Sequence, residues 1–106
     1  MKEKNVQELK SMLDNNEDFI LLDVRTEYEV LISKISEKSY HIPMNDIPSK
    51  IDELDKNKEI IVYCKSGKRS ASVCEFLENN NFLNTYNLQG GILAWAREVD
   101  SSIIIG

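Results

Sequence analysis

Apolar positions along the chain follow two alternating rhythms. Val6, Leu9, Met12 and Leu13 recur at helical spacing, and Asn5 with Glu8 three residues later has the form of a helix start. The polar run Asp14-Asn15-Asn16-Glu17-Asp18 ends that helix, and Phe19-Ile20-Leu21-Leu22 reads as a short buried strand. Thr26 is placed to cap a second helix that reaches as far as Leu31. Tyr40-His41-Ile42-Pro43 reads as another strand, stopped by its proline. Ile47, Ile51 and Leu54 then mark one helix, with Pro48 tolerable in its first turn. Asp55-Lys56-Asn57-Lys58 loops into Ile60-Ile61-Val62-Tyr63, an apolar run suited to a strand buried on both faces of a parallel sheet. From Ser70 the helical rhythm returns, with Val73, Cys74, Phe76 and Leu77 sharing a face until Asn79-Asn80-Asn81. Thr85-Tyr86-Asn87-Leu88 is a last strand and Gln89-Gly90-Gly91 a turn. Ile92, Leu93, Trp95 and Ala96 give a final helix its apolar side. Strands alternating with helices throughout predict an α/β domain with a mostly parallel central sheet and right-handed crossovers.

This layout puts Cys64 where a strand ends and a short loop runs into a helix. Backbone N–H groups at a helix start lack intrahelical partners, and the helix macrodipole places partial positive charge there. Lys65, Lys68 and Arg69 add three bases with no acid among them. Such a setting favours a thiolate and predicts an acidity above that of an ordinary cysteine, whose pKa is roughly 8.5. Cys64 is therefore the candidate nucleophile. Cys74 shares a face with Phe76 and Leu77 and reads as a buried structural cysteine rather than a resolving thiol. His41 is the only histidine, and one histidine with two scattered cysteines does not make a zinc site or a cysteine–histidine protease pair. No phosphate-binding GxxxxGK[ST] run is present.

The segment Cys64-Lys65-Ser66-Gly67-Lys68-Arg69-Ser70 resembles the active-site loop of the rhodanese (thiosulfate sulfurtransferase) family. Protein tyrosine phosphatases carry a related cradle one residue longer, usually with histidine before the cysteine, where this chain has Tyr63. Asp23-Val24-Arg25 with Glu29 also resembles a rhodanese signature, although Val30 stands where an aromatic residue is usual. Ser33-Lys34-Ile35 replaces the common Gly-His-Ile, which leaves the path of residues 33–39 open. Tyr40-His41-Ile42-Pro43 is similar to the family's Asn-Ile-Pro. Leu88-x-Gly90-Gly91-x-x-Ala94-Trp95 resembles its closing motif, with Trp95 read as a core residue. Asp23 and Arg25 read first as an ion pair tying loops together and second as substrate contacts.

The resemblance spans Asn5 to Glu98 and implies a rhodanese-like three-layer fold, a mostly parallel five-stranded sheet with helices on both faces. It implies sulfur transfer through a persulfide on Cys64, with no metal and no organic cofactor. Backbone N–H groups of residues 65–69 cradle the sulfur in that scheme. Gly67 permits the turn, Ser66 and Ser70 offer hydroxyls, and Lys65 and Lys68 attract the anion. Arg69 orients the loop or pairs with substrate. Two other classes stay open, a phosphatase or arsenate reductase using the same thiolate and a non-catalytic sulfur-carrier or protein-binding module.

Composition narrows the partners. The 106 residues suit one domain over 1–106, and a net charge of −5 argues against a general nucleic-acid binder. Local base around Cys64 in an acidic chain points to a small anionic sulfur donor, and the resemblance adds a thiol or protein acceptor. The chain carries no apolar run long enough to span a bilayer. Two cysteines without an export signal predict a reducing, cytoplasmic setting, and a monomer is expected. The tail from Ser101 to Gly106, apolar at Ile103-Ile104-Ile105, either packs back or stays free.

Overall fold

The computed structural model describes the whole chain, Met1–Gly106. Five strands form one sheet: β1 (Lys2–Lys4), β2 (Ile20–Asp23), β3 (Ser39–His41), β4 (Ile60–Tyr63) and β5 (Thr85–Leu88). Their spatial order is β1-β5-β4-β2-β3, and every neighbouring pair is parallel. The intervening helices are α1 (Val6–Asp14), α2 (Glu27–Ile32), α3 (Ile47–Lys50), α4 (Lys68–Asn79) and α5 (Gly91–Glu98). The expected α/β architecture, with a five-stranded sheet between helical layers, is the one observed.

Side-chain alternation along β4 divides the core in two. Ile60, Val62 and Cys64 pack with Ile47 of α3 and with Val73, Cys74 and Leu77 of α4. Ile61 and Tyr63 face the other way, toward Val6, Leu9 and Met12 of α1 and Ile92, Ala94 and Trp95 of α5. All four residues of β4 are buried, as a strand covered on both faces requires. Asp23 of β2 stands level with Tyr63 of β4. The carboxyl ends of these neighbouring strands therefore finish side by side, the edge at which open α/β sheets bind ligands. Helix α2 buries none of its residues. Capping boxes start α1 and α2: the Glu8 N–H donates to Asn5 Oδ1 at 2.8 Å, and the Glu29 N–H to Thr26 Oγ1 at 3.3 Å.

The structure differs from the sequence reading at several points. The Lys2-Glu3-Lys4 strand has no apolar residue, so a hydrophobic pattern passes over it. It joins the sheet by backbone pairing with Tyr86, Asn87 and Leu88, and Lys2 and Lys4 lie over the Tyr86 ring at 4.9 and 4.4 Å. The single helix expected over Ile47–Leu54 is two short pieces, α3 and a 3-10 turn at Ile51–Glu53, and another 3-10 turn at Met44–Asp46 precedes them. The break falls at Lys50, whose φ of −116° leaves the helical range. Helix α4 begins at Lys68 rather than Ser70, because Gly67 at φ +106° completes the turn early. On α5 the buried face is Gly91, Ile92, Ala94 and Trp95, and Leu93 points outward. The tail packs back, with Ile103 and Ile105 against the α1–α5 side of the core. No helix is long and apolar enough to cross a membrane.

Candidate active site

β4 delivers Cys64 into a turn closed by Gly67, and α4 begins at the next residue. The first turn of α4 therefore folds over the cysteine it follows. Cys64 Sγ accepts from the Gly67 N–H at 3.1 Å and the Ser70 N–H at 3.4 Å, and Ser70 Oγ lies 3.3 Å away. A second helix start braces the same backbone from the other side. The Ile92 N–H donates to the Cys64 carbonyl at 3.0 Å and the Leu93 N–H to that of Lys65 at 3.1 Å. Gly91 makes this approach possible, since a Cβ there would meet the Lys65 carbonyl oxygen at 2.4 Å and its φ is +58°.

Cys64 is 1% exposed. Burial opposes ionisation, yet the hydrogen bonds win. The N–H groups of Ser70, Gly67 and Ser66, joined by the Ser70 hydroxyl when it turns to the sulfur, hold the thiol below the ordinary cysteine value. The shift runs in the direction expected from the sequence, and its lowering causes are the donors at the helix start, with no lysine among them. Cys74 shows burial acting without donors: its thiol is pushed up to about 12.

The bases of the loop separate on folding. The Lys65 ammonium donates to the Gly106 carbonyl at 3.2 Å. Lys68 and Ser66 are exposed. Arg69 turns to α2 and binds Glu29 with both arms, Nη1 to Oε1 at 2.8 Å and Nη2 to Oε2 at 2.9 Å. Glu29 Oε1 also accepts from the Thr26 N–H and hydroxyl. Arg69 holds the Glu29 carboxyl down at about 2, and that bond in turn raises Arg69. Arg69 therefore couples the Cys64 turn to the cap of α2. A hollow of about 110 Å³ opens beside it, bordered by Arg25, Thr26 and Asn45.

Asp23 and Arg25 form a buried ion pair at 2.8 Å, with the two side chains 0% and 1% exposed. Burial works against the Arg25 charge, and the Asp23 carboxylate more than offsets it. Asp23 Oδ1 also accepts from the Arg25 N–H at 3.0 Å, and Arg25 Nη2 donates to the Ser33 carbonyl at 2.7 Å. The Tyr63 hydroxyl accepts from the Ile35 N–H at 3.2 Å and lies 2.9 Å from Ser39 Oγ. These bonds fix the 33–39 segment, so Asp23 and Arg25 tie loops together in this geometry. His41 Nε2 faces the Arg25 carbonyl at 2.7 Å, in the same loop cluster.

Two residues outside the expected site set complete it. Glu29 is one, noted in the sequence only as part of a signature and far from Arg69 along the chain. Asn87 on β5 is the other, buried, with Oδ1 accepting from the Ser70 hydroxyl at 2.5 Å and Nδ2 donating to the Gly67 carbonyl at 3.1 Å. A polar residue in an otherwise buried strand was the available signal for Asn87. Its partners lie 17 and 20 positions away, and nothing in the sequence names them.

Residues 5–98 match the family model described as the rhodanese-like domain. The proposed sulfurtransferase YtwF of Bacillus subtilis is 41% identical over 98 residues, covering 92% of this chain and 93% of that protein. A sulfurtransferase of Allochromatium vinosum is 36% identical over 91 residues, with coverages of 86% and 84%. Among solved structures, a rhodanese-like domain protein from Staphylococcus aureus superposes with a TM-score of 0.85 at 34% identity, over 100% of this chain and 99% of that one.

Proposed function

This chain belongs to the rhodanese-like domain family, and we propose that it is a sulfurtransferase carrying sulfur on Cys64. The observation that carries this reading is the convergence of the Gly67 and Ser70 N–H groups on a buried sulfur, with the Ser70 hydroxyl 3.3 Å from it. A thiolate is stable there without a general base. In the first half-reaction the Cys64 thiolate attacks the outer sulfur of thiosulfate or a donor like it. A new S–S bond forms, the bond to the sulfite sulfur breaks, and sulfite leaves with the electron pair. Cys64 becomes a persulfide whose negative charge sits on the terminal sulfur. A thiolate acceptor, small or on a protein, then takes that terminal sulfur and returns Cys64 to the thiolate.

The N–H groups that serve the thiolate are oriented before reaction, at a helix start that pays no reorganisation as charge moves. Lys68, exposed at the head of α4, favours approach of an anionic donor. Arg69 acts through its paired hydrogen bonds to Glu29, setting the turn that presents the Ser70 N–H. The names of the Bacillus and Allochromatium relatives support the same chemistry.

Intact mass spectrometry after thiosulfate treatment tests it. The protein is expected to gain one sulfur atom, removable by cyanide or a reducing thiol. No gain with thiosulfate or with a polysulfide donor overturns the reading and leaves a binding module on the same fold.

A further inference from the structure

The Ser70 hydroxyl has one proton and two neighbours that want it. Cys64 Sγ lies 3.3 Å from Ser70 Oγ on one side, and Asn87 Oδ1 lies 2.5 Å away on the other. The Asn87 amide cannot turn over to relieve this competition, because its Nδ2 donates to the Gly67 carbonyl, which only accepts. Asn87 Oδ1 must then receive the Ser70 proton or remain a buried acceptor without a partner, at a residue 5% exposed. Proton order follows in the resting thiol: Cys64 S–H to Ser70 Oγ, and Ser70 O–H to Asn87 Oδ1.

We propose that Asn87 is a positioning residue that holds the Ser70 hydroxyl on its own Oδ1, withholding that donor from the Cys64 thiolate and keeping the sulfur a stronger nucleophile. A thiolate at Cys64 faces two arrangements, each with a cost. Either Ser70 keeps its bond to Asn87 and turns a lone pair toward the anion, or it rotates to the sulfur and strands Asn87 Oδ1. A persulfide faces neither. Its charge lies on the terminal sulfur, the Cys64 Sγ is neutral, and Ser70 stays on Asn87 at no cost. The network therefore suits the states before and after attack better than the thiolate between them. A thiolate less stabilised by donors is also intrinsically more nucleophilic, since nucleophilicity rises with basicity. The Gly67 and Ser70 N–H groups keep the thiolate accessible, and Asn87 limits how far it is quenched.

The charged groups around Cys64 are engaged elsewhere or act independently of Asn87. On α4, Arg69 is paired with Glu29 of α2, Lys68 is exposed, and Cys74 is neutral. On β2, Asp23 and Arg25 close on each other. Lys65 donates to Gly106, and the first turn of α5 brings no acid. β5 contributes Tyr86, whose ring lies under Lys2 and Lys4.

The inference rests on Cys64 being the sulfur-carrying nucleophile, but its test does not use sulfur transfer. The ionisation midpoint of Cys64 is followed in the full chain by thiolate ultraviolet absorbance, with Cys64→Ser as the blank. Asn87→Ala frees Ser70 for the thiolate, and the midpoint is expected to fall by about one pH unit, the worth of one hydrogen bond to a charge. In a Ser70→Ala background the same Asn87→Ala change is expected to shift nothing. An unchanged or raised midpoint in Asn87→Ala, or an equal fall without the Ser70 hydroxyl, overturns the proposal. Should Asn87→Ala not fold, Asn87→Leu fills the same space without an acceptor and is read the same way. A protein that titrates as expected yet gains no sulfur from thiosulfate keeps the Asn87 role and loses the transfer reading. One that gains sulfur without the shift loses the Asn87 role alone.

Discussion

Cys64 and Cys74 are buried to the same degree, 1% and 0% exposed, and belong to the same side of the core. Their thiols are nonetheless driven in opposite directions, Cys64 down and Cys74 up to about 12. Burial acts on both and raises both. The difference is the supply of donors. Cys74 lies inside α4, where backbone N–H groups are consumed by the helix itself, and burial leads in raising it, with the Glu78 charge second. Cys64 lies one turn ahead of the same helix, where N–H groups have no intrahelical partner and Gly67 bends the chain so that they meet the sulfur. The opposite shifts come from where the chain leaves a strand, since both thiols are equally shut off from water.

The largest effect that tests this contrast is a swap of serines. Cys64→Ser is expected to abolish the sulfur gained from thiosulfate, because a hydroxyl at neutral pH is a poor nucleophile and no general base stands beside it. Cys74→Ser is expected to take up sulfur as the wild type does, at some loss of stability from a hydroxyl in the core. Intact mass of each variant decides it. Uptake that survives Cys64→Ser and vanishes in Cys74→Ser reverses the assignment.

Much of this contrast was legible in the sequence, because it rests on local pattern. The apolar run Ile60–Tyr63, the glycine after Cys64 and the apolar face of α4 together place one cysteine at a strand end and the other in a helix. The cause of the acidity was legible in part. The unpartnered N–H groups of the helix start are the donors expected there, whereas the three bases, expected to add to them, turn elsewhere: Lys65 reaches to Gly106 and Arg69 to Glu29. Long-range partners were hidden: Glu29 meets Arg69 at 40 positions' separation, and Asn87 meets Gly67 across β5. The β1 strand escaped for a different reason, since its alternation carries only charged side chains at a sheet edge.

A second, smaller effect separates the two cysteines through Glu29. Its bond to Arg69 orients the turn around Cys64 and leaves Cys74 alone, so Glu29→Gln is expected to slow sulfur uptake about tenfold, as loss of a charged hydrogen bond would. Arg69→Ala is expected to match it, and Lys34→Ala to leave the rate unchanged. Stability carries the same signature. The carboxyl of Glu29 is depressed from 4.5 to about 2 in the folded chain. Its contribution is therefore full above about 4.5 and lost as pH falls toward 2, at most about 3 kcal/mol and less after solvent screening of the partly exposed Arg69. Urea unfolding between pH 2 and 5 is expected to show a shallower acid loss in Glu29→Gln than in wild type. Equal acid slopes in the two proteins remove Glu29 from the account.

The smallest effect lies at alkaline pH, where the two thiols pull stability in opposite senses. Stability rises with pH wherever the unfolded chain binds more protons than the folded one. Cys64 is depressed, so below about 9 the unfolded thiol is protonated while the folded one is already losing its proton, and stability climbs. Cys74 is raised to about 12, so above about 9 the unfolded thiol ionises while the folded one stays neutral, and stability falls. The fall attributable to Cys74 is about 1 kcal/mol by pH 10 and ends near the folded value of about 12. Tyr63, also raised by burial, adds its own loss at higher pH, and that loss is common to every variant that keeps it. Urea unfolding from pH 7 to 11 therefore isolates each cysteine by its slope. Cys64→Ser is expected to flatten the climb below 9, and Cys74→Ala to flatten the descent above it, whatever either costs at neutral pH. A descent that persists unchanged in Cys74→Ala would mean that burial without donors does not hold that thiol neutral, and the contrast between the two cysteines would rest on Cys64 alone.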